Sequence, residues 1–151
     1  MIAFSRGRGN ALAYDTNNIF AKILRGEAPA HKIYEDDATL AFMDIMPQTK
    51  GHSLVIPKSP VETLFELSPE MLSATIVTTQ KVANAVRVAF DPAGMMIGQL
   101  NGPAAGQTVF HLHFHIIPRY EAGGFSFHGR APENPEILAE HAAAIRAHIG
   151  A

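Results

Sequence analysis

The chain has 151 residues, of which 47% are hydrophobic, enough for one domain with a core and too few to expect two. Its formal net charge of -2 is not accompanied by a basic stripe, so we expect a small ligand and no nucleic-acid partner. With 0 cysteines the chain can form neither disulfides nor thiolate metal sites. This composition is compatible with a reducing compartment, and we take the cytoplasm as the default location.

The first 14 residues are interpreted as a flexible lead-in, and residues 15–151 as the single domain. The lead-in is rich in glycine and lacks the long apolar core of a secretory signal. No run in the chain approaches the length of a membrane helix. We therefore expect no membrane partner.

The first half of the domain is predicted to contain one helix and three strands. Capping side chains at 15–17 precede a set of apolar residues at helical spacing that ends at Gly26. Two strand-like runs, 32–35 and 39–44, flank an acidic turn and predict a hairpin. A third strand covers 52–56.

The second half is predicted to begin with a long helix. Ser68 and Pro69 fit an N-cap followed by proline at the first helical position, and Asp91-Pro92 ends the helix. The remaining elements are a fourth strand, a glycine-containing loop and a terminal helix, at 95–100, 101–106 and 135–149. Adjacent strands joined by short turns, with two or three helices, predict an α+β fold with an antiparallel sheet.

Residues 111–117 read His-Leu-His-Phe-His-Ile-Ile and form the most informative pattern in the chain. As a strand, this run places His111, His113 and His115 on one face and the apolar residues between them in a core. Same-face neighbours lie about 6.6 Å apart along a strand, so one metal could take two imidazoles but would strain to hold three. An extended polyanion such as a phosphate chain fits the row better, and an exposed polar face is the remaining alternative.

The loop before this row, residues 101–108, adds donors for an anion. Its glycines let backbone amides approach a phosphate, while the Gln107 amide and the Thr108 hydroxyl can donate hydrogen bonds to its oxygens. Alone, a loop of this composition would more often be an ordinary turn. Its position directly before the histidine row indicates a phosphate site.

The row from His111 to Ile117 resembles the signature of the histidine triad (HIT) superfamily of nucleotide hydrolases and transferases. Further segments resemble family segments in the same order, at 18–23, 26–27, 34–36, 41–45, 47–48, 51–58 and 106–109. The N-terminal part is most similar to the Hint branch, whereas 106–109 and Pro118-Arg119 also resemble Fhit-type enzymes. The resemblance implies a HIT-like fold, with a sheet of about five strands, one long helix and one or two shorter helices.

The resemblance also implies roles for four histidines. His113 is the nucleophile, which attacks an α-phosphorus and forms a nucleotidyl-histidine that water then hydrolyses. His115 lies near the leaving group, and His111 helps to hold the triad together. His52 corresponds to a fourth histidine packed behind the triad, although by itself it would be read as a structural residue.

The ligand contacts implied by the resemblance fall into two groups. The phosphate-binding residues are Asn101, Gly106, Gln107 and Thr108. The nucleoside-binding residues are Asp44, which accepts the ribose hydroxyls, and the base-pocket residues Ile19, Phe20, Ile23, Phe42 and Ile45. Without the resemblance, Asp44 would be a turn carboxylate and the apolar residues simple core.

Two departures from the family pattern bear on metal and activity. Some relatives bind zinc with the help of two cysteines in the first helix, whereas 18–21 reads Asn-Ile-Phe-Ala here, so we expect no metal and no cofactor. The nucleotidyltransferase branch has glutamine where this chain has His115, which favours a hydrolase. The histidines His31, His128, His141 and His148 match nothing functional and are expected at the surface.

These features favour a nucleotide hydrolase of the purine nucleoside phosphoramidase type. The alternatives are a dinucleoside polyphosphate hydrolase, a metal-dependent hydrolase and a nucleotide-binding regulatory or scaffold protein. The resemblance implies a purine nucleotide or nucleotide conjugate as ligand. It also implies a homodimer that pairs through the long helix and a sheet edge. In the segment after Tyr120, Phe125 and Phe127 are the candidates for a role in specificity.

Overall fold

A five-stranded antiparallel sheet forms the centre of the protein in the computed structural model, which describes residues 13–124, 126–129 and 131–150. The strands are β1 (Lys32–Glu35), β2 (Thr39–Met43), β3 (Ser53–Pro57), β4 (Gly94–Gln99) and β5 (Phe114–Arg119). Their order across the sheet is β1-β2-β3-β5-β4, and every neighbouring pair is antiparallel. The sheet confirms the predicted α+β architecture.

Three helices pack on this sheet, and each begins at a polar cap. They are α1 (Ile19–Leu24), α2 (Pro69–Phe90) and α3 (Pro135–Arg146). The side chains of Asn18, Ser68 and Asn134 accept hydrogen bonds from backbone N–H groups in the first turns. The cap of α2 lies where it was predicted, whereas α1 begins later than the capping run at 15–17. None of the described helices is long and apolar enough to cross a membrane.

The two faces of the sheet carry separate cores because strand side chains alternate. One face packs against α2 and α3, in a cluster formed by Ile33, Ala41, Met43, Val55, Val82, Ala85, Val86, Ile116, Leu138, Ala142 and Ile145. The other face packs against α1, in a cluster formed by Phe20, Ile23, Leu40, Phe42, Leu54 and Ile56. Since both faces are covered, β2 and β3 are buried along their whole length.

The histidine run is only partly a strand. The ladder of β5 begins at Phe114, which pairs with Val55 of β3 and Gln99 of β4, so the predicted strand is wrong for residues 111–113. Before Phe114, the backbone is held by a loop instead, since the N–H of Leu112 donates to the carbonyl of Val61 at 2.9 Å. The alternation still holds, because His115 pairs with Leu54 on the α1 face.

Candidate active site

The three imidazoles of the triad lie on the α1 side of the sheet and are buried. The ring centroids of His113 and His115 are 4.9 Å apart, and the ring of Phe20 in α1 contacts His113 edge-on at 5.0 Å. The same Phe20 ring lies 6.4 Å from His111. The row is therefore a packed cluster, and the alternative of an exposed polar face is wrong.

Hydrogen bonding leaves one nitrogen of His113 available for chemistry. Its Nδ1 lies 2.7 Å from the backbone carbonyl of His111, and since a carbonyl can only accept, Nδ1 carries the hydrogen. Burial lowers the pKa of His113 to about 4, so the ring is neutral at pH 7. In this tautomer Nε2 holds a lone pair, which is the requirement for a nucleophile.

A backbone amide sets the tautomers of His52 and His115. The N–H of Gln48 donates to Nδ1 of His52 at 2.9 Å, so the hydrogen of neutral His52 is on Nε2. This Nε2 lies 3.0 Å from Nδ1 of His115, which must accept, leaving the hydrogen of His115 on its Nε2. Burial lowers the pKa of His52 to about 3 and that of His115 to about 2, so both rings are neutral.

In this chain of hydrogen bonds, the Nε2–H group of His115 is a donor without an acceptor. It is buried and has no hydrogen-bond partner among the described residues. A buried donor without an acceptor costs about 1–3 kcal/mol, so a ligand oxygen at this atom would relieve an existing penalty. His115 is thus suited to donate a hydrogen bond to a bound phosphate or leaving group.

His111 is held at both ring nitrogens. Its Nε2 donates to the carbonyl of Pro57 at 2.7 Å, and its Nδ1 accepts from the hydroxyl of Tyr14. Burial lowers the pKa of His111. The ring therefore stays neutral and in one orientation, as its supporting role predicts.

Asp44 lies at the end of β2 beside His52. Its Oδ1 accepts from the N–H of Met46 at 2.8 Å, and its Oδ2 is 3.4 Å from Nε2 of His52. Burial raises the pKa of Asp44 to about 6, so the side chain is ionised at neutral pH but close to its titration point. A ribose hydroxyl that donated to this carboxylate would replace part of its lost hydration.

The five apolar residues predicted to form the base pocket divide into two sets. Phe20, Ile23 and Phe42 are buried in the core beneath α1, so they also stabilise the fold. Ile19 and Ile45 are 45% and 57% exposed, respectively. Large exposed side chains of this kind are available to cover an apolar ring.

Gln107 has a structural use that the sequence did not reveal. Its Oε1 accepts from the N–H of Gly102 at 2.8 Å, and its Nε2 donates to the carbonyls of Glu62 and Val109 at 2.7 and 3.0 Å. Both amide hydrogens are thus taken, and a phosphate contact by this side chain would require one of these bonds to break. The side-chain amide of Gln107 therefore stabilises the conformation of the loop.

The other predicted phosphate-binding residues lie in the same loop, residues 101–108. The amide oxygen of Asn101 accepts from the N–H of Leu64 at 2.8 Å, which ties the loop to the segment before α2. Gly106 has a φ of 95°, a conformation that favours glycine. Thr108 is exposed, and its hydroxyl has no hydrogen bond to the residues that the structure describes. It is the freest side-chain donor of the four.

Two residues of the segment after Tyr120 lie near His115: Phe127, a predicted candidate for specificity, and His128, which was expected only at the surface. The rings of Phe127 and His128 lie 5.3 and 5.8 Å from the ring of His115, so His128, although exposed, is not an isolated surface residue. The His128 Nε2 donates to the carbonyl of Gly106 at 2.9 Å. Gly98, which pairs with His115, leaves the space that Phe127 fills, since a Cβ there would lie 2.1 Å from the Phe127 ring. Phe125 falls outside the described residues.

Asp44, His52 and His115 are close enough to be considered as metal ligands. One ligand atom from each lies within 4.8 Å of the others. However, the His52 atom that faces the other two is Nε2, which carries a hydrogen because Gln48 donates to Nδ1. This nitrogen has no lone pair for a cation, so the trio does not fit a metal in this tautomer. The hydrogen-bond chain accounts for its close spacing.

Comparisons with known proteins identify the family of this chain. A model of the HIT domain matches residues 25–122. The chain is 48% identical over 107 residues to Protein hit of Bacillus subtilis, covering 71% of this chain and 74% of that protein. It is 39% identical over 127 residues to adenosine 5'-monophosphoramidase hnt1 of Schizosaccharomyces pombe, covering 81% of this chain and 92% of that protein. A Hit-like protein from Bartonella henselae superposes with a TM-score of 0.83 at 49% identity, covering 90% of this chain and 98% of that one. The buried histidine cluster and these matches show that the chain belongs to the HIT family.

Proposed function

We propose that the protein is a nucleotide hydrolase that cleaves a nucleoside 5'-phosphoryl bond, of the purine nucleoside phosphoramidase type. The observation that carries this proposal is the hydrogen bond from Nδ1 of His113 to the carbonyl of His111. It keeps a neutral, buried imidazole in the tautomer whose Nε2 can attack phosphorus. The fission yeast relative that is named a phosphoramidase supports the choice of substrate.

The proposed reaction has two displacements at the same phosphorus. Nε2 of His113 forms a bond to the α-phosphorus while the bond to the leaving group breaks, giving a nucleotidyl-histidine. A departing amine takes up a proton in the first displacement. Water then attacks this phosphorus and releases a proton, the bond between phosphorus and Nε2 of His113 breaks, and His113 returns to its neutral form. The unpaired Nε2–H of His115 stabilises charge on the phosphate or the leaving group.

The remaining predicted residues would hold the nucleotide. Asp44 accepts the ribose hydroxyls, and the exposed side chains of Ile19 and Ile45 cover the purine. Thr108 donates to the phosphate, with Asn101 and Gly106 shaping the loop around it, and Gln107 acts through its internal bonds. Because internal hydrogen bonds already hold the loop at 101–108, it does not have to reorganise when its donors bind the phosphate.

The test compares the proposed activity with its alternatives. We expect the purified protein to hydrolyse an adenosine phosphoramidate faster than diadenosine polyphosphates, and His113→Ala to abolish turnover while retaining nucleotide binding. His148→Ala, which removes a histidine outside the site, is the control. Faster cleavage of the polyphosphates would favour the Fhit-type alternative. Wild-type binding without turnover would indicate a regulatory or scaffold protein.

We also propose a homodimer that pairs through α2 and β4. Strand β4 lies at an edge of the sheet, so its outer backbone groups are available for pairing. Beside this edge, the apolar side chains of Ile76, Val77 and Ile97 are 44%, 55% and 43% exposed. They line one shallow groove, together with Thr79, Gln80 and Ala83, so this partly apolar surface spans the helix and the strand.

A further inference from the structure

We propose that Tyr14 is a positioning residue for the nucleophile, acting through the hydrogen bond from its hydroxyl to Nδ1 of His111. The inference rests on the proposed nucleophilic role of His113. Tyr14 belongs by sequence to the predicted lead-in, and nothing in its local sequence indicates a role in the site. Three sets of contacts connect Tyr14 to the triad and to the helix beside it.

The first contact is the hydrogen bond itself, whose direction follows from the opposite side of the His111 ring. Nε2 of His111 faces the carbonyl of Pro57 at 2.7 Å, so it must carry the hydrogen. Nδ1 of the neutral ring is then an acceptor, and the Tyr14 hydroxyl is its donor. The two rings also meet edge-on, with centroids 5.6 Å apart.

The second contact joins His111 to the nucleophile. The carbonyl of His111 accepts from Nδ1 of His113 at 2.7 Å, and this bond selects the reactive tautomer. Residues 111–113 precede the β5 ladder, so strand pairing does not hold this carbonyl in place. It is held by the bond from the N–H of Leu112 to Val61 and by the anchored His111 ring. Tyr14 supplies one of the two anchors of that ring.

The third set of contacts connects the residues that directly follow Tyr14 to α1. The next residue, Asp15, accepts from the backbone N–H groups of Asn17 and Asn18 at 2.8 and 3.2 Å, forming the turn that leads into the helix. Arg25 at the end of α1 donates to the carbonyl of Thr16 at 2.7 Å. The same helix contributes Phe20, whose ring contacts His113. Tyr14 is therefore part of the packed structure around the triad.

The chemical effect of Tyr14 is to keep His111 neutral and in one tautomer. A hydroxyl that donates to Nδ1 stabilises the neutral ring, because an imidazolium has no lone pair there. A proton on Nδ1 would place a positive charge next to His113 and weaken it as a nucleophile. Burial raises the pKa of Tyr14, so at neutral pH, where His113 is also neutral, its hydroxyl keeps its hydrogen and can donate.

The kinetic test is Tyr14→Phe, which removes the hydroxyl and keeps the ring. We expect kcat to fall about tenfold with little change in KM, because one oriented hydrogen bond is lost and no substrate contact is removed. The acid limb of the pH profile of kcat should move to higher pH, since His111 becomes easier to protonate. Tyr34→Phe is the matched control, because the Tyr34 hydroxyl bonds Asp36 and Lys81 away from the triad.

A second measurement does not need turnover. Nitrogen NMR of the wild-type protein should show His111 protonated at Nε2 and unprotonated at Nδ1, and Tyr14→Phe should shift both His111 and His113 signals. Unchanged kcat, pH profile and NMR signals in Tyr14→Phe would overturn the proposal, as would a wild-type His111 protonated at Nδ1. If the wild type lacks turnover, the proposed activity fails, and the NMR shift at His113 still decides the positioning role.

Discussion

At the scale of single residues, the chemistry of the site depends on which nitrogen of each imidazole carries its hydrogen. The three rings that surround the reactive position are neutral because they are buried, and each receives its tautomer from a neighbour whose role is unambiguous. A backbone carbonyl sets His113, and a backbone N–H, through His52, sets His115. The result is a lone pair on His113 beside a free donor on His115.

Replacing His52 tests this chain of hydrogen bonds. In His52→Ala, the N–H of half-buried Gln48 and the buried Nδ1 of His115 both lose their partner. We expect turnover to fall about 100-fold and the free energy of unfolding to fall by about 3 kcal/mol. His52→Gln offers an oxygen acceptor and an N–H donor, so it should recover much of both losses. Steady-state kinetics measures the loss of turnover, and urea denaturation measures the loss of stability. Equal turnover in both variants and the wild type would contradict a role for the hydrogen bonds from Gln48 through His52 to His115.

At the scale of elements, the triad is formed at the beginning of a strand. His115 lies within β5 and is held between β3 and β4, whereas His111 and His113 lie in the segment before the ladder. Their orientation therefore depends on α1, the segment before it and the end of β3, through Phe20, the hydroxyl of Tyr14 and the carbonyl of Pro57. The described part of the segment after Tyr120 adds Phe127 and His128 on the other side of His115.

The proposed dimer is also a property of elements, since it uses α2 and the edge strand β4. We expect the wild type to sediment as a dimer at micromolar concentration and Val77→Glu to sediment as a monomer, because burying an unpaired carboxylate opposes association. Ile137→Glu is the control, as it adds the same charge to an exposed position on α3. A wild-type monomer, or equal effects of the two substitutions, would contradict pairing through this surface.

At the scale of the whole molecule, the buried histidine cluster makes stability depend on pH. The pKa values of His52, His113 and His115 are lowered by burial, so these rings stay neutral in the folded protein while they become protonated in the unfolded chain below about pH 6.5. Below that pH, the chain therefore binds one additional proton at each of these rings when it unfolds. Asp44 acts in the opposite direction, because its raised pKa favours proton binding by the folded state below about pH 6.

We expect the free energy of unfolding to be constant between pH 8 and 7 and to fall as pH decreases from about 6.5. Each of these three histidines contributes about 1.4 kcal/mol per pH unit and Asp44 offsets one of them, so together they contribute a slope of about 3 kcal/mol per unit near pH 5. His111, whose pKa burial also lowers, acts in the same direction as the three histidines. Urea denaturation at a series of pH values measures it. His113→Ala should reduce the slope by about one proton, and a flat profile down to pH 5 would show that the cluster is not neutral and buried.

The sequence by itself determined the features that depend on neighbouring residues. Alternation along 111–117 predicted that the three histidines share a face, and Ser68-Pro69 predicted the start of α2, because strand geometry and helix capping act over a few residues. The short turns between adjacent strands predicted the antiparallel sheet, and the ordered family segments predicted a HIT relationship; the structure and the relatives confirm both. The limit of this local information is visible at residues 111–113, where strand propensity predicted a ladder, whereas β4 ends at Gln99 opposite Phe114 and the pairing with β3 stops at Val55.

Only the tertiary structure decided how the site residues are connected. Tyr14 meets His111 across 97 positions of sequence, and His52 meets His115 across 63, so neither bond has a local signal. The internal bonding of the Gln107 amide depends in the same way on a carbonyl 45 positions away. Folding determines these partners because a hydrogen bond requires two atoms within about 3 Å, and only packing brings distant segments that close.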